Sequence, residues 1–330
     1  MARLPLLLLL PLMLLGACAS TPPLTRGGQP VMAGKTVVIT GASSGFGRGV
    51  AQEMGRRGAN VVLAARRQEQ LELVAAEVRA GGGQALVQPT DVSDPAQVAR
   101  LAEAAEARFG RIDIWINDAG VGALGRFDEV PVADHARIVD VNLKGVIYGS
   151  HEALRRFRRQ QFGTVINLGS VVSRVPQPYY ASYVATKHAI LGLDEALNAE
   201  LRANREGRWI RVVTVMPWAA DTPWFDNAAN YSGTLPAKVL PDRPELIVDA
   251  IVHAALRPRD RVAPGVKAKA ALVSHRISPA LTNAAAGAVF HRAQTSAPRD
   301  PKAPTSGSLY RPGPSVGVKD ETPGGSVKRP

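Results

Sequence analysis

Tyr183 and Lys187 stand four residues apart in Tyr183-Val184-Ala185-Thr186-Lys187. On a helix that spacing puts both side chains on one face, one turn apart. A phenol with a pKa of roughly 10 is a poor proton carrier near neutrality. A lysine ammonium one turn away favours the phenolate, so the pair reads as an acid/base unit. The spacing is common and carries little alone. Ser170 follows Asn167-Leu168-Gly169 at the end of a strand-like run. Its hydroxyl can bond a substrate oxygen and stabilise charge that develops there. Asn142, in Val141-Asn142-Leu143-Lys144-Gly145, is a fourth polar candidate; a packing or backbone-bonding amide is the alternative reading.

Those groups need a scaffold, and the chain supplies a repeating one. Continuous apolar runs of strand length are expected at 36–40, 60–65, 84–88, 112–117, 163–169 and 209–215. Helical spacing fills 45–57, 68–80, 95–109, 134–160 and 180–205. Apolar strands alternating with amphipathic helices predict a parallel sheet covered on both faces. The expected fold class is α/β, a doubly wound parallel sheet (Rossmann-type) in three α/β/α layers, with ligands at the carboxyl ends of its strands.

The first strand runs into Thr40-Gly41-Ala42-Ser43-Ser44-Gly45-Phe46-Gly47. Its glycines allow a tight turn and close backbone approach, and a helix N-terminus follows that can meet a pyrophosphate. The TGxxxGxG spacing resembles the short-chain dehydrogenase/reductase family, over about residues 34–260. Tyr183, Lys187 and Ser170 are in that family's register, and Asn142 matches its catalytic Asn, thought to hold a relay water. The resemblance implies a nicotinamide cofactor held by Gly41, Ser43, Ser44, Gly45, Phe46 and Gly47, with Tyr183 and Lys187 also touching it. Asp91-Val92 matches the family's adenine-contacting pair. Asn117, Ala119 and Gly120 match its NNAG turn, with Asp118 in place of the second Asn. Pro217 and Thr222 match positions near the nicotinamide, although Trp218 stands where the family usually has Gly. After the second strand Arg66 and Arg67 replace the carboxylate that would bind a 2′-hydroxyl. That exchange predicts NADP (NADPH), with Arg66 the first contact and Arg67 the second. The alternative is a pair of solvated helix-start residues.

The segment after the sixth strand carries Trp218 and Trp224, and the stretch before Tyr183 carries Tyr179. These are expected to line an apolar or aromatic alcohol/carbonyl site; lid packing is the bland alternative. The expected function is an NADP-dependent oxidoreductase. The alternatives are a cofactor-binding sensor and a membrane-tethered scaffold without turnover. The family often forms dimers or tetramers, so a homo-oligomer is an expectation from resemblance alone.

The ends read differently from the centre. Residues 1–18 carry one Arg, an apolar run and Leu15-Gly16-Ala17-Cys18, which resembles a bacterial lipobox. This predicts membrane association through a lipidated leader. An uncleaved anchor is one alternative, and a start at Met32 with a cytoplasmic protein is another. Residues 19–33 read as a linker, 34–264 as the catalytic domain and 265–296 as a helical extension broken near Pro279. Residues 297–330 are rich in Pro, Gly, Ser and Lys and predict a disordered tail. The net charge of +12 is scattered Arg, as at Arg155, Arg156, Arg158 and Arg159, and reads as solvated helix faces. No groove-reading motif calls for nucleic acid, and one cysteine supports neither a disulfide framework nor a Cys-rich metal site.

Overall fold

Seven apolar segments pair side by side, all parallel. They are β1 (Thr36–Thr40), β2 (Asn60–Ala65), β3 (Gln84–Pro89), β4 (Ile114–Asn117), β5 (Gly163–Leu168), β6 (Ile210–Val215) and β7 (Arg261–Val262). In this computed structural model the spatial order is β7-β6-β5-β4-β1-β2-β3. The structure describes residues 31–296, 300–314 and 317–319, and the backbone of a short hairpin, Thr25–Arg26 with Gln29–Pro30. Sequence reading missed β7, which is two residues long and too short to show a pattern.

Helices α1 (Gly45–Arg56), α2 (Gln68–Ala80), α3 (Pro95–Phe109), α4 (Val132–Val139), α5 (Gly145–Gln160), α6 (Ala181–Ala203), the four-residue α7 (Trp224–Asn227) and α8 (Pro244–Leu256) connect the strands. Two apolar clusters lie on opposite faces of the sheet. One holds Val37, Ile39, Met54, Leu63, Leu71 and Ile251. The other holds Val38, Val62, Leu101, Trp115, Phe157 and Val212. Successive β1 residues go to opposite clusters, which is why the strand is apolar without interruption. Each fully buried aliphatic side chain contributes about 1.5–3 kcal/mol.

The helix expected over 134–160 is not continuous. A π-helical turn, Asp140–Lys144, separates α4 from α5 and carries Asn142. Such one-turn widenings rotate the side chains that follow them, and they recur at functional sites. On α5, Arg155, Arg158 and Arg159 are exposed as expected, and Arg156 alone departs from that face. Arg156 is buried and ion-paired with Glu152 and Glu106, while Arg158 pairs with Glu200 and Glu206.

Beyond β7, α9 (Gly265–Ile277) and α10 (Pro279–Thr295) pack as a hairpin at Ser278-Pro279. Ala271, Leu272 and Ala286 rest on Val171, Val172 and Val175, so the extension roofs one end of the carboxyl edge of the sheet. Val266, Val273, Ile277 and Leu281 remain exposed on it. Among the described residues no helix is long and apolar enough to cross a membrane. The leader expected at 1–18 lies outside the described residues, as does most of the linker. Met32 is buried in the first cluster.

The disorder expected over 297–330 does not hold for the described part. Thr305 and Asn230 exchange two main-chain hydrogen bonds at 2.8 and 3.0 Å, and Leu309 is wholly buried in the second cluster. Composition misled because the segment is held by a few anchors (Leu309, Tyr310 and Lys319) and by its main-chain groups, which Pro/Gly/Ser content does not register.

Candidate active site

A cleft runs along the carboxyl ends of β1, β4, β5 and β6, where the strand order reverses between β1 and β4. Ser170 ends β5 and caps the short turn Val171–Ser173, its hydroxyl accepting from the Val172 N–H at 3.3 Å. That turn holds the hydroxyl in the cleft with Tyr183, where it donates to the Pro217 carbonyl at 3.4 Å and pulls the phenol's pKa down. Tyr183 and Lys187 project from one face of α6, with the Lys187 Nζ 5.5 Å from the Tyr183 ring centre. The ammonium donates to the Leu168 carbonyl at 2.5 Å. Asn142 lies behind it. Its Oδ1 accepts from the Val121 N–H at 2.8 Å, and its Nδ2 donates to the Val121 carbonyl at 2.8 Å and to Thr186 Oγ1 at 3.3 Å. The amide therefore splints the turn after β4 to α6 through the π-helical turn.

Burial sets the electrostatics. Desolvation pushes the Tyr183 phenol above its ordinary value; the Ser170 bond pulls it down and the Asp118 carboxylate pushes it further up. Lys187 is lowered to about 8 by desolvation, with Asp118 pulling the other way. Asp118 is raised to about 7, first by desolvation, against the Lys187 charge and a bond from the Gly47 N–H. Enclosure is the largest influence on the Tyr183 phenol and favours its protonated form.

At the other end of the cleft the loop between β1 and α1 presents main-chain donors. The α1 N-cap, Ser44, makes no side-chain cap bond, and the first turn carries no acid. Gly41 has φ +75°, and a Cβ there would meet the Ala119 nitrogen at 2.8 Å. Gly47 lets α1 pass the Gly41 carbonyl, which a Cβ would approach to 2.5 Å. Thr40 Oγ1 accepts from the N–H groups of Asp118 and Ala119, which fixes the facing turn. An uncapped helix start beside glycine backbone suits a pyrophosphate. Ser43, Phe46, Arg66, Arg67, Asp91 and Val92 line this end; Gly120, Pro217 and Thr222 lie nearer Tyr183.

A family model described as short chain dehydrogenase matches residues 35–231. The chain belongs to the short-chain dehydrogenases. The uncharacterised oxidoreductase YxnA of Bacillus subtilis (strain 168) is 33% identical over 263 residues, 79% of this chain and 73% of that protein. The 3beta-hydroxysteroid dehydrogenase 1 of Eggerthella lenta is 40% identical over 193 residues, 58% of this chain and 72% of that protein. Among solved structures, 3-ketoacyl-(acyl-carrier-protein) reductase from Brucella melitensis, complexed with NADH, is similar with a TM-score of 0.61 at 30% identity. That match covers 70% of this chain and 96% of the reductase. The chain is therefore an oxidoreductase of a family that uses NAD(P) and acts on small molecules.

Against the short-chain dehydrogenase pattern, some expected residues sit elsewhere. The Asn117 side chain does not face the cleft. It accepts from Trp115 Nε1 at 2.8 Å and donates to Asn167 Oδ1 at 2.8 Å, starting a buried polar chain across the sheet. Asn167 then donates to Asp194 at 2.6 Å, and Thr214 donates to the other Asp194 oxygen at 2.7 Å. Tyr179 turns away, because its φ of +68° reverses the local alternation. Its hydroxyl meets His291 Nδ1 on α10 at 2.6 Å. Tyr180 and Gln177 line the cleft in its place. Trp218 and Trp224 do line it; the Trp224 ring centre is 5.0 Å from that of Tyr183, and Trp218 packs against Phe290 of α10. Sequence reading also missed Arg137, which donates to Asp91 at 2.7 Å, and the wall formed by Ser308, Pro312 and Gly313.

Proposed function

We propose that this short-chain dehydrogenase interconverts a carbonyl and an alcohol on an apolar or aromatic substrate, with NADP as cofactor and Tyr183 as the acid/base. The observation that carries the reading is that Ser170, Tyr183 and Lys187 line one cleft together with Tyr180, Trp218 and Trp224. Ser170 holds the substrate oxygen. Tyr183 transfers the proton to or from that oxygen, and Lys187 holds positive charge beside the phenol. Asn142 positions Val121 and α6 around them. When bound, the nicotinamide supplies or accepts the hydride. A phenol held protonated suits reduction. The named relatives are a hydroxysteroid dehydrogenase and a ketoacyl reductase, and both names point to an apolar body bearing one reactive oxygen.

The NADP preference is supported by Arg66 and Arg67, which directly follow β2 and lie in the cleft wall. Guanidinium pairs bind phosphate with charge-assisted bonds. The Brucella reductase is complexed with NADH, so cofactor choice is the point to test. Steady-state kinetics with NADPH and NADH across a panel of hydrophobic ketones decides it. The reading expects a lower KM for NADPH; preference for NADH rejects it.

Attachment through a lipidated Cys18 remains a proposal from residues 1–18. Mass analysis of the native amino terminus tests it, and an unmodified terminus at Met32 or Ala33 rejects it.

A further inference from the structure

The guanidinium groups proposed to take the 2′-phosphate are engaged by the chain's own C-terminal segment. Arg66 donates to the Ser308 carbonyl at 2.6 Å and to the Leu309 carbonyl at 3.2 Å. Arg67 donates to the Gly313 carbonyl at 2.5 Å. The Gly45 N–H, at the start of α1, donates to the Gly317 carbonyl at 2.9 Å. Arg137 adds a bond to the Leu309 carbonyl at 3.0 Å. All these acceptors are neutral main-chain oxygens, and they sit where a phosphate oxygen would take the same donors.

The segment is built to lie there. Leu309 is buried in the core. Tyr310 donates to Asp134 at 2.9 Å, and Lys319 pairs with Glu245 at 2.9 Å. Gly307 has φ +50°, and a Cβ there would meet the Ala228 carbonyl carbon at 2.5 Å. Side chains provide the anchors and the carbonyls provide the plug.

We propose that the adenosine end of the cleft is a docking surface for residues 305–314 and Gly317, and that this docking competes with the cofactor. The inference rests on the cofactor site assigned above. The carbonyls take the N–H groups that face the cleft, and the segment's main chain stands in the cleft wall against both guanidiniums, where the phosphate would sit. A doubly charged 2′-phosphate makes the stronger bonds, so the cofactor displaces the segment. Apparent cofactor affinity is then lowered by the fraction of chains in the docked state.

The test uses full-length protein and two measurements. Gly307→Val undocks the segment by a clash with the Asn227 and Ala228 main chain and alters none of the proposed cofactor contacts, and Leu309→Asp does so at the anchor. Calorimetric titration with NADPH, NADH and adenosine 2′,5′-bisphosphate is expected to show binding tightened by at least about threefold in both variants. In the wild type, hydrogen exchange across 300–314 is expected to rise when NADPH is added, while 41–47 becomes protected. Unchanged or weaker binding in the variants, or slower exchange across 300–314 with NADPH, overturns competition; the segment would then be a lid that closes on the cofactor. Wild-type preference for NADH would reject the NADP reading alone. The variants still report on docking, because the Gly45 N–H serves the pyrophosphate of either cofactor.

Discussion

The Lys187 ammonium donates to the Leu168 carbonyl at 2.5 Å, two residues before Ser170 on the same strand end. That bond ties α6 to β5 and fixes the distance between the hydroxyl of one element and the phenol of the other. The same ammonium feels Asp118 across the turn after β4. Lys187, lowered to about 8 by burial, is kept from falling further by that carboxylate.

Asp118→Asn removes the carboxylate. The Lys187 pKa is then expected below about 8, so the charged lysine is lost earlier as pH rises. The basic limb of the kcat profile moves to lower pH, and a profile of kcat against pH reads it. An unmoved or upward-shifted limb shows that Asp118 does not act on Lys187.

Arg66→Ala with Arg67→Ala removes two charge-assisted contacts, each worth about 1.5–3 kcal/mol. KM for NADPH is expected to rise about tenfold or more, with no rise in KM for NADH, which loses no contact and gains from the freed segment. Equal losses for both cofactors indicate that the arginines do not read the 2′ position.

Trp218→Ala opens the apolar wall while leaving Tyr183 and Ser170 in place. For a hydrophobic ketone, kcat/KM is expected to fall about tenfold, mostly through KM, as the loss of a buried aromatic contact. A matching fall in kcat would place Trp218 in the chemistry instead.

Much of this was legible in the residues, and the failures have physical causes. The strands of the sheet show as apolar runs because both faces are buried, and Ser170, Tyr183 and Lys187 follow from their places on β5 and α6. The π-helical turn at Asn142 was not legible, since helical periodicity continues through it. The turning-away of Tyr179 was not legible, because nothing in the sequence announces a positive φ at a tyrosine. Asn117 was read from its motif as a cofactor contact, whereas its amide belongs to the chain linking Trp115, Asn167, Asp194 and Thr214. The placement of 300–314 and 317–319 was hidden because main-chain carbonyls make much of the contact, with only a few side chains as anchors.

Asp194 in that chain gives a stability prediction. Desolvation raises it to about 6, against the Thr214 and Asn167 bonds. A raised folded-state carboxyl contributes stability below its unfolded value near 4, and that contribution is lost as pH rises through about 6. Asp194→Asn has no such proton to lose. Its stability relative to wild type is therefore expected to increase as pH rises from about 4 to about 7. Denaturant melts across that range read the difference; a constant difference refutes the assignment.

Tyr183→Phe tests the central claim most directly. Purified full-length wild type and variant are compared by NADPH oxidation with the best ketone of the panel, and by NADPH titration. Turnover is expected to fall at least about 100-fold with cofactor affinity within about twofold of wild type. Turnover within a few-fold of wild type would contradict Tyr183 as the acid/base.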